Sequence, residues 1–112
     1  MLVVNLYNAV LKEIGMGVTA QQADDGKTVT ITVDGRFDFS VHKDFRNTYK
    51  DYDAGANFRV NLSGTEYLDS SALGMLLLLK KHSNEDVIIE KPNEEVKRVL
   101  TIANFDKVFK IE

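Results

Sequence analysis

The sequence predicts an α/β fold, a single domain with a mixed β-sheet and helices in the order β-β-α-β-α-β-α-β. Three observations carry this. Short stretches of alternating apolar and polar residues are interleaved with longer stretches whose apolar residues recur every three to four positions. From the second strand onward each strand is followed by a helical segment, which implies parallel strands joined by right-handed crossovers. The first two strands are instead joined through Asp25-Gly26, a hairpin signal that makes the opening pair antiparallel.

The elements follow in order. Thr28 to Val33 puts Val29, Ile31 and Val33 on one face, the period of a half-buried strand, and Val18 to Gln22 is its hairpin partner. Ser40 reads as the N-cap of a helix running to about Tyr52, with Val41, Phe45, Tyr49 and Tyr52 as the buried stripe. Phe58, Val60 and Leu62 alternate as a third strand. A helix from Ser70 to His82 follows, then a strand over Val87 to Glu90. Asn93 caps the last helix, which presents Val96, Val99, Leu100 and Ala103 on one face, and Val108 to Ile111 closes the chain as a strand. This domain spans residues 16–112. Residues 1–15 read as an N-terminal extension. Val3, Tyr7, Val10 and Ile14 lie at helical spacing and Gly15 ends that short helix; an extension ahead of an alternative start at Met16 fits the same residues.

Composition excludes several classes of function. The 112 residues suit one domain large enough to bury a core without metals or disulfides. No cysteine is present, so a disulfide framework and a cysteine metal site are both excluded, which suits the cytoplasm expected here. The net charge of −3 argues against a nucleic-acid partner, since acidic residues flank the basic pairs Lys80-Lys81 and Lys97-Arg98. The most apolar run, Ala72 to Leu79, is far short of the roughly 20 residues a bilayer span needs, so no direct membrane insertion is expected. The apolar amino terminus lacks a basic leader and contains Glu13, which makes it a poor signal peptide. It leaves a monomer or a weak dimer open.

Nothing points to an enzyme, a cofactor or a metal. Phosphate-cradling glycine motifs and clustered His and acidic ligands are missing. Ser70 and Ser71 lack the G-x-S-x-G elbow of a serine hydrolase. Of the two histidines, His82 lies at the far end of the helix that begins near Ser70, roughly 18 Å away. His42 reads as a solvated residue near the start of the first helix.

The segment with the most chemical content is Tyr67-Leu68-Asp69-Ser70-Ser71-Ala72-Leu73-Gly74. The apolar run it opens reads as a helix buried on most sides. Asp69 is placed as its N-cap, which puts Ser70 and Ser71 in the first turn, where unpaired amides and the positive end of the helix dipole collect. On composition alone an ordinary cap is the commoner explanation. The same physics allows a phosphate on Ser70, because a helix start tolerates the added charge while a protein pressed against it does not.

Asp69 to Gly74 resembles the phosphorylation motif of the STAS family, the anti-sigma factor antagonists, whose usual form is Asp-Ser-Ser/Thr-Gly-Leu-Gly. Gly35, Phe37 and Asp38 resemble a second motif, Gly-Glu-Leu-Asp, and Val96 to Phe109 resembles the closing helix and strand. The resemblance runs from about residue 16 to the end and implies a STAS-like domain. It further implies that Ser70, with Ser71 as runner-up, accepts a phosphate from an anti-sigma factor that is also a serine kinase. A PP2C-type phosphatase removes it. Asp38, Phe39, Ser40, Asp69, Ser71 and Gly74 are the partner-binding residues this implies. Two positions depart from the family pattern: Ala72 stands where glycine is usual, and Arg36 stands where glutamate is frequent. STAS domains also serve as accessory subunits of membrane transporters or signalling assemblies without a phosphorylation cycle, which is the alternative.

Overall fold

A computed structural model describes residues 17–112, and the helical extension expected over residues 1–15 lies outside the described residues. The sheet has six strands: β1 (Gly17–Gln22), β2 (Thr28–Phe37), β3 (Asn57–Asn61), β4 (Thr65–Leu68), β5 (Ile88–Glu90) and β6 (Lys110–Ile111). The helices are α1 (His42–Tyr49), α2 (Ser70–His82) and α3 (Glu94–Ile102), with short 3-10 turns at Phe39–Val41 and Phe105–Lys107. The hairpin is present as expected. β1 pairs antiparallel with β2, Gly26 takes a φ of +70°, and Asp25 Oδ1 accepts from the amides of Lys27 and Thr28. The remaining pairings are all parallel, in the order β1-β2-β3-β5-β6.

β4 is an addition to the expected order. Its residues Thr65 and Leu68 are buried with two exposed residues between them, because the register with β2 passes from Gly35↔Thr65 to Arg36↔Tyr67. Glu66 is therefore an extra residue, a β-bulge that breaks the period-two pattern by which a strand is read. β3 and β4 lie end to end along β2, which pairs with β3 over Thr28–Thr32 and with β4 over Gly35–Phe37. Between them the chain jogs through Leu62–Gly64, where Gly35 donates to the Gly64 carbonyl and Thr65 Oγ1 donates to the Val33 carbonyl. A Cβ on Gly64 would strike the Asp34 carboxylate.

One core serves the whole domain. Val29, Ile31, Val33, Phe58, Val60 and Ile89 from the sheet join Phe45, Tyr49, Ala72, Leu76, Leu79, Val96 and Leu100 from the helices in a single buried cluster. The alternate residues Thr28, Thr30, Thr32, Arg59 and Asn61 stay partly exposed, so the helices cover one face of the sheet. α1 packs against β1 and α2, and α3 packs against β4.

Three expectations need correction. Ser40 does not cap a helix. Asp38 caps the 3-10 turn that leads into α1, and Ser40 sits inside that turn with its amide and hydroxyl both donating to the Asp38 carboxylate. A carboxylate two residues upstream is the better acceptor for those groups. α1 ends at Tyr49 rather than Tyr52, where the chain tightens through a bond from the Tyr52 amide to the Tyr49 carbonyl. Finally, α2 is not buried on most sides. Ala72, Met75, Leu76 and Leu79 are buried, but Leu77 is 44% and Leu78 58% exposed. With the sheet beneath it and α1 beside it, the outer face of α2 has nothing over it among the described residues.

Candidate functional site

The site forms where β2 and β4 end. These strands are parallel neighbours with Phe37 opposite Leu68, so the residues that leave them, Asp38 and Asp69, emerge side by side. Phe37 and Leu68 point into the core. Strand alternation then turns Arg36, Asp38, Tyr67 and Asp69 the other way. Both aspartates are extended, and each ends its strand by capping the helical turn that follows. Ligands collect at the carboxyl ends of parallel strands for this reason: the segments leaving the sheet converge there.

Asp69 caps α2 as expected, its Oδ1 accepting from the Ala72 amide at 3.1 Å. Ser70 is exposed at the first position of the helix and Ser71 is partly buried. At the other end Lys80, Lys81 and His82 complement the helix dipole, leaving the start without a basic side chain in the helix itself. Gly74 is one turn beyond Ser70 on the same exposed stripe, and Leu77, Leu78 and Lys81 continue it.

Asp38 is the electrostatic centre of the β2 side. The Ser40 hydroxyl, the Ser40 amide and Arg36 hold its carboxyl below the usual carboxylate range. Arg36 Nε lies 3.3 Å from Asp38 Oδ2. Phe39, by contrast, is 62% exposed, and its ring stacks on His42 with centroids 4.0 Å apart and planes inclined by 12°. His42 Nδ1 is 2.8 Å from the Phe39 carbonyl. A carbonyl only accepts, so that nitrogen carries the proton. His42 is thus a partly buried support for an exposed aromatic ring rather than a solvated residue. His82 has a similar tie, its Nε2 donating to the Tyr52 carbonyl at 3.0 Å among the rings of Tyr49 and Phe58. Each imidazole is bonded to a backbone carbonyl.

The strand register brings Asp38 beside Asp69; Phe39 and Ser40 lie in the turn that follows Asp38, Ser70 opens the helix that follows Asp69, and Ser71 is partly buried. Two features escaped the sequence reading. One is the stack of Arg36 on Tyr67, with the guanidinium carbon 4.5 Å from the ring centre; it depends on the β4 register, which the sequence conceals. The other is the open Leu77–Leu78 face. Its signal was present in the spacing of Ser70, Gly74, Leu77 and Lys81 on one side of a helix. Among the described residues no group of three or more His, Cys, Asp or Glu is arranged to hold a metal ion, and no helix is long and apolar enough to cross a membrane.

Comparison with known proteins agrees with this architecture. A family model described as Mlab, STAS domain, matches residues 20–111. The STAS-domain containing protein PA14_20770 of Pseudomonas aeruginosa strain UCBPP-PA14 is 43% identical over 100 residues, covering 86% of this chain and 99% of that one. The crystal structure of TM1081 from Thermotoga maritima, a proposed anti-sigma factor antagonist, matches with a TM-score of 0.70 at 25% identity over 84% of each chain. The anti-sigma factor antagonist SpoIIAA in its unphosphorylated form matches with a TM-score of 0.63 at 16% identity, over 82% of this chain and 97% of its own, a likeness of fold. A matching family model over most of the domain, a relative of nearly the same extent and a shared fold lead to one conclusion: the chain belongs to the STAS domain family.

Proposed function

We propose that this protein is a phosphorylation-controlled binding protein acting as an anti-sigma factor antagonist. Unmodified at Ser70, it engages an anti-sigma factor that is also a serine kinase; phosphorylated there, it releases that partner, and a PP2C-type phosphatase resets it. The cytoplasm is where such a cycle runs. The observation that carries the reading is the placement of Ser70, exposed in the first turn of a capped helix and continuous with an exposed stripe of Gly74, Leu77 and Leu78. Phe39, on the neighbouring segment, adds a rigid aromatic contact of the kind enriched at protein interfaces. The likeness to TM1081, a proposed anti-sigma factor antagonist, and to the fold of the anti-sigma factor antagonist SpoIIAA supports the choice of partner.

The energetics are sufficient. A phosphate brings about −1.5 to −2 charges to a helix start that tolerates an anion, so the domain keeps its fold. A docked protein at that surface meets unfavourable charge worth several kcal/mol, and each ~1.4 kcal/mol is tenfold in affinity. Ser70→Ala is therefore expected to bind the kinase with wild-type affinity and Ser70→Asp at least a hundredfold more weakly in a calorimetric titration. Equal binding by the two variants would overturn the reading. Mass spectrometry of the protein from its own cells checks the modification, with phosphate expected on Ser70 ahead of Ser71. The alternative, an accessory subunit of a membrane transporter or signalling assembly, works without a phosphorylation cycle. Co-purification with a transporter ATPase, and an unmodified Ser70 under every growth condition, would favour it.

A further inference from the structure

Arg36 is not used by the partner-binding reading, yet it stands inside the site with most of its donors unengaged. Its side chain is 63% exposed, and of the five N–H groups of a guanidinium the one bonded among the described residues is Nε, to Asp38 at 3.3 Å. The group is nevertheless positioned, since it lies over the Tyr67 ring with its central carbon 4.5 Å from the ring centre. Arg36 and Tyr67 are register partners, so the stack carries a cation from β2 across to β4. β4 runs through Leu68 and Asp69 directly into Ser70. Two residues separate Tyr67 from Ser70, three steps of chain and about 10 Å at full extension. A flexible arginine on one side and a phosphoserine on the other can bridge such a span.

We propose that Arg36 is the receptor for the phosphate on Ser70: on modification the guanidinium leaves Asp38 and takes the phosphate in a bidentate grip. The inference rests on Ser70 being the modified residue. The exchange is favourable on general grounds. An exposed arginine–carboxylate pair contributes little, whereas a phosphate offers more charge and three oxygens to the planar fork of an arginine. Asp38 keeps both of its bonds from Ser40 when Arg36 departs, so the turn at Phe39–Val41 persists. Modification then alters both strands of the site at once. The new charge is drawn down over Tyr67, and the Asp38 carboxylate loses its counter-ion. The second negative group faces the partner together with the first.

The test uses the full chain with phosphoserine installed at position 70 during synthesis, which needs neither kinase nor partner. Phosphorus NMR follows the second ionisation of the phosphate, ordinarily near pH 6, in the wild type, Arg36→Gln and Arg36→Lys. In the wild type that ionisation is expected about one pH unit lower, as for an acid beside an arginine. In Arg36→Gln it returns toward pH 6, and Arg36→Lys falls between. Coincident titrations of the wild type and Arg36→Gln would overturn the proposal. Nitrogen NMR of the wild type gives a second measurement free of any variant: the Arg36 Nε resonance is expected to move between the unmodified and phosphorylated chains, and an unmoved resonance also overturns it. Failure of partner release would show in binding titrations and leave these two readouts untouched, so the two readings fail separately.

Discussion

Asp69 and Asp38 are each the last extended residue before a helical turn, and each accepts hydrogen bonds from the turn it starts. Replacing Asp69 with alanine removes the acceptor for the Ala72 amide and is expected to cost about 1 kcal/mol in urea unfolding, while Asp69→Asn restores most of it. Asp38 adds a pH dependence. Its carboxyl is held below the ordinary 3.8 by the Ser40 hydroxyl, the Ser40 amide and Arg36. A depressed folded-state value means that its contribution is complete above the unfolded value and is lost as the pH falls through the folded one. The Ser40 amide resonance is therefore expected to titrate at a pH below 3.8, and to lose that transition in Asp38→Asn. Of these two roles only one was legible. Asp69 is followed at once by a helical pattern, whereas Ser40 matches the usual cap so well that it hides the stronger acceptor two residues before it.

At the scale of elements, α2 does two jobs with one run of leucines. Leu76 and Leu79 are fully buried, and Leu77 and Leu78 look outward. Leu76→Ala is expected to destabilise the domain by about 2–5 kcal/mol, the cost of a core cavity. Leu78→Gln is expected to leave stability within about 0.5 kcal/mol and to weaken partner binding at least tenfold, measured by chemical denaturation and titration respectively. Composition told the helix from a loop but did not divide its leucines between core and surface; the apolar run alone has no period to read, and only the spacing of Ser70, Gly74 and Lys81 around it marks the outer face. β4 failed to register for a related reason. With Glu66 bulged out, Thr65 and Leu68 sit three positions apart yet face the same side.

For the molecule as a whole, β2 is the organising strand, bonded to β1 along one edge and to β3 and then β4 along the other. Its amides are expected to exchange most slowly in native-state hydrogen exchange, and those of the two-residue β6 faster by orders of magnitude. The mixed sheet and its helical crossovers were legible from alternation and spacing. The tandem placement of β3 and β4 was not, because the three-residue jog at Leu62–Gly64 resembles any other turn until the register of β2 is known.

That tandem placement has a kinetic corollary. The two arms of the recognition surface leave β2 and β4, which are paired with each other up to Phe37 and Leu68, and neither swings without unzipping that pairing. Chemistry at the rim has charge to work with but no hinge. Association with a partner should accordingly follow a single concentration-dependent phase in stopped-flow mixing, with no slow isomerisation step before or after encounter.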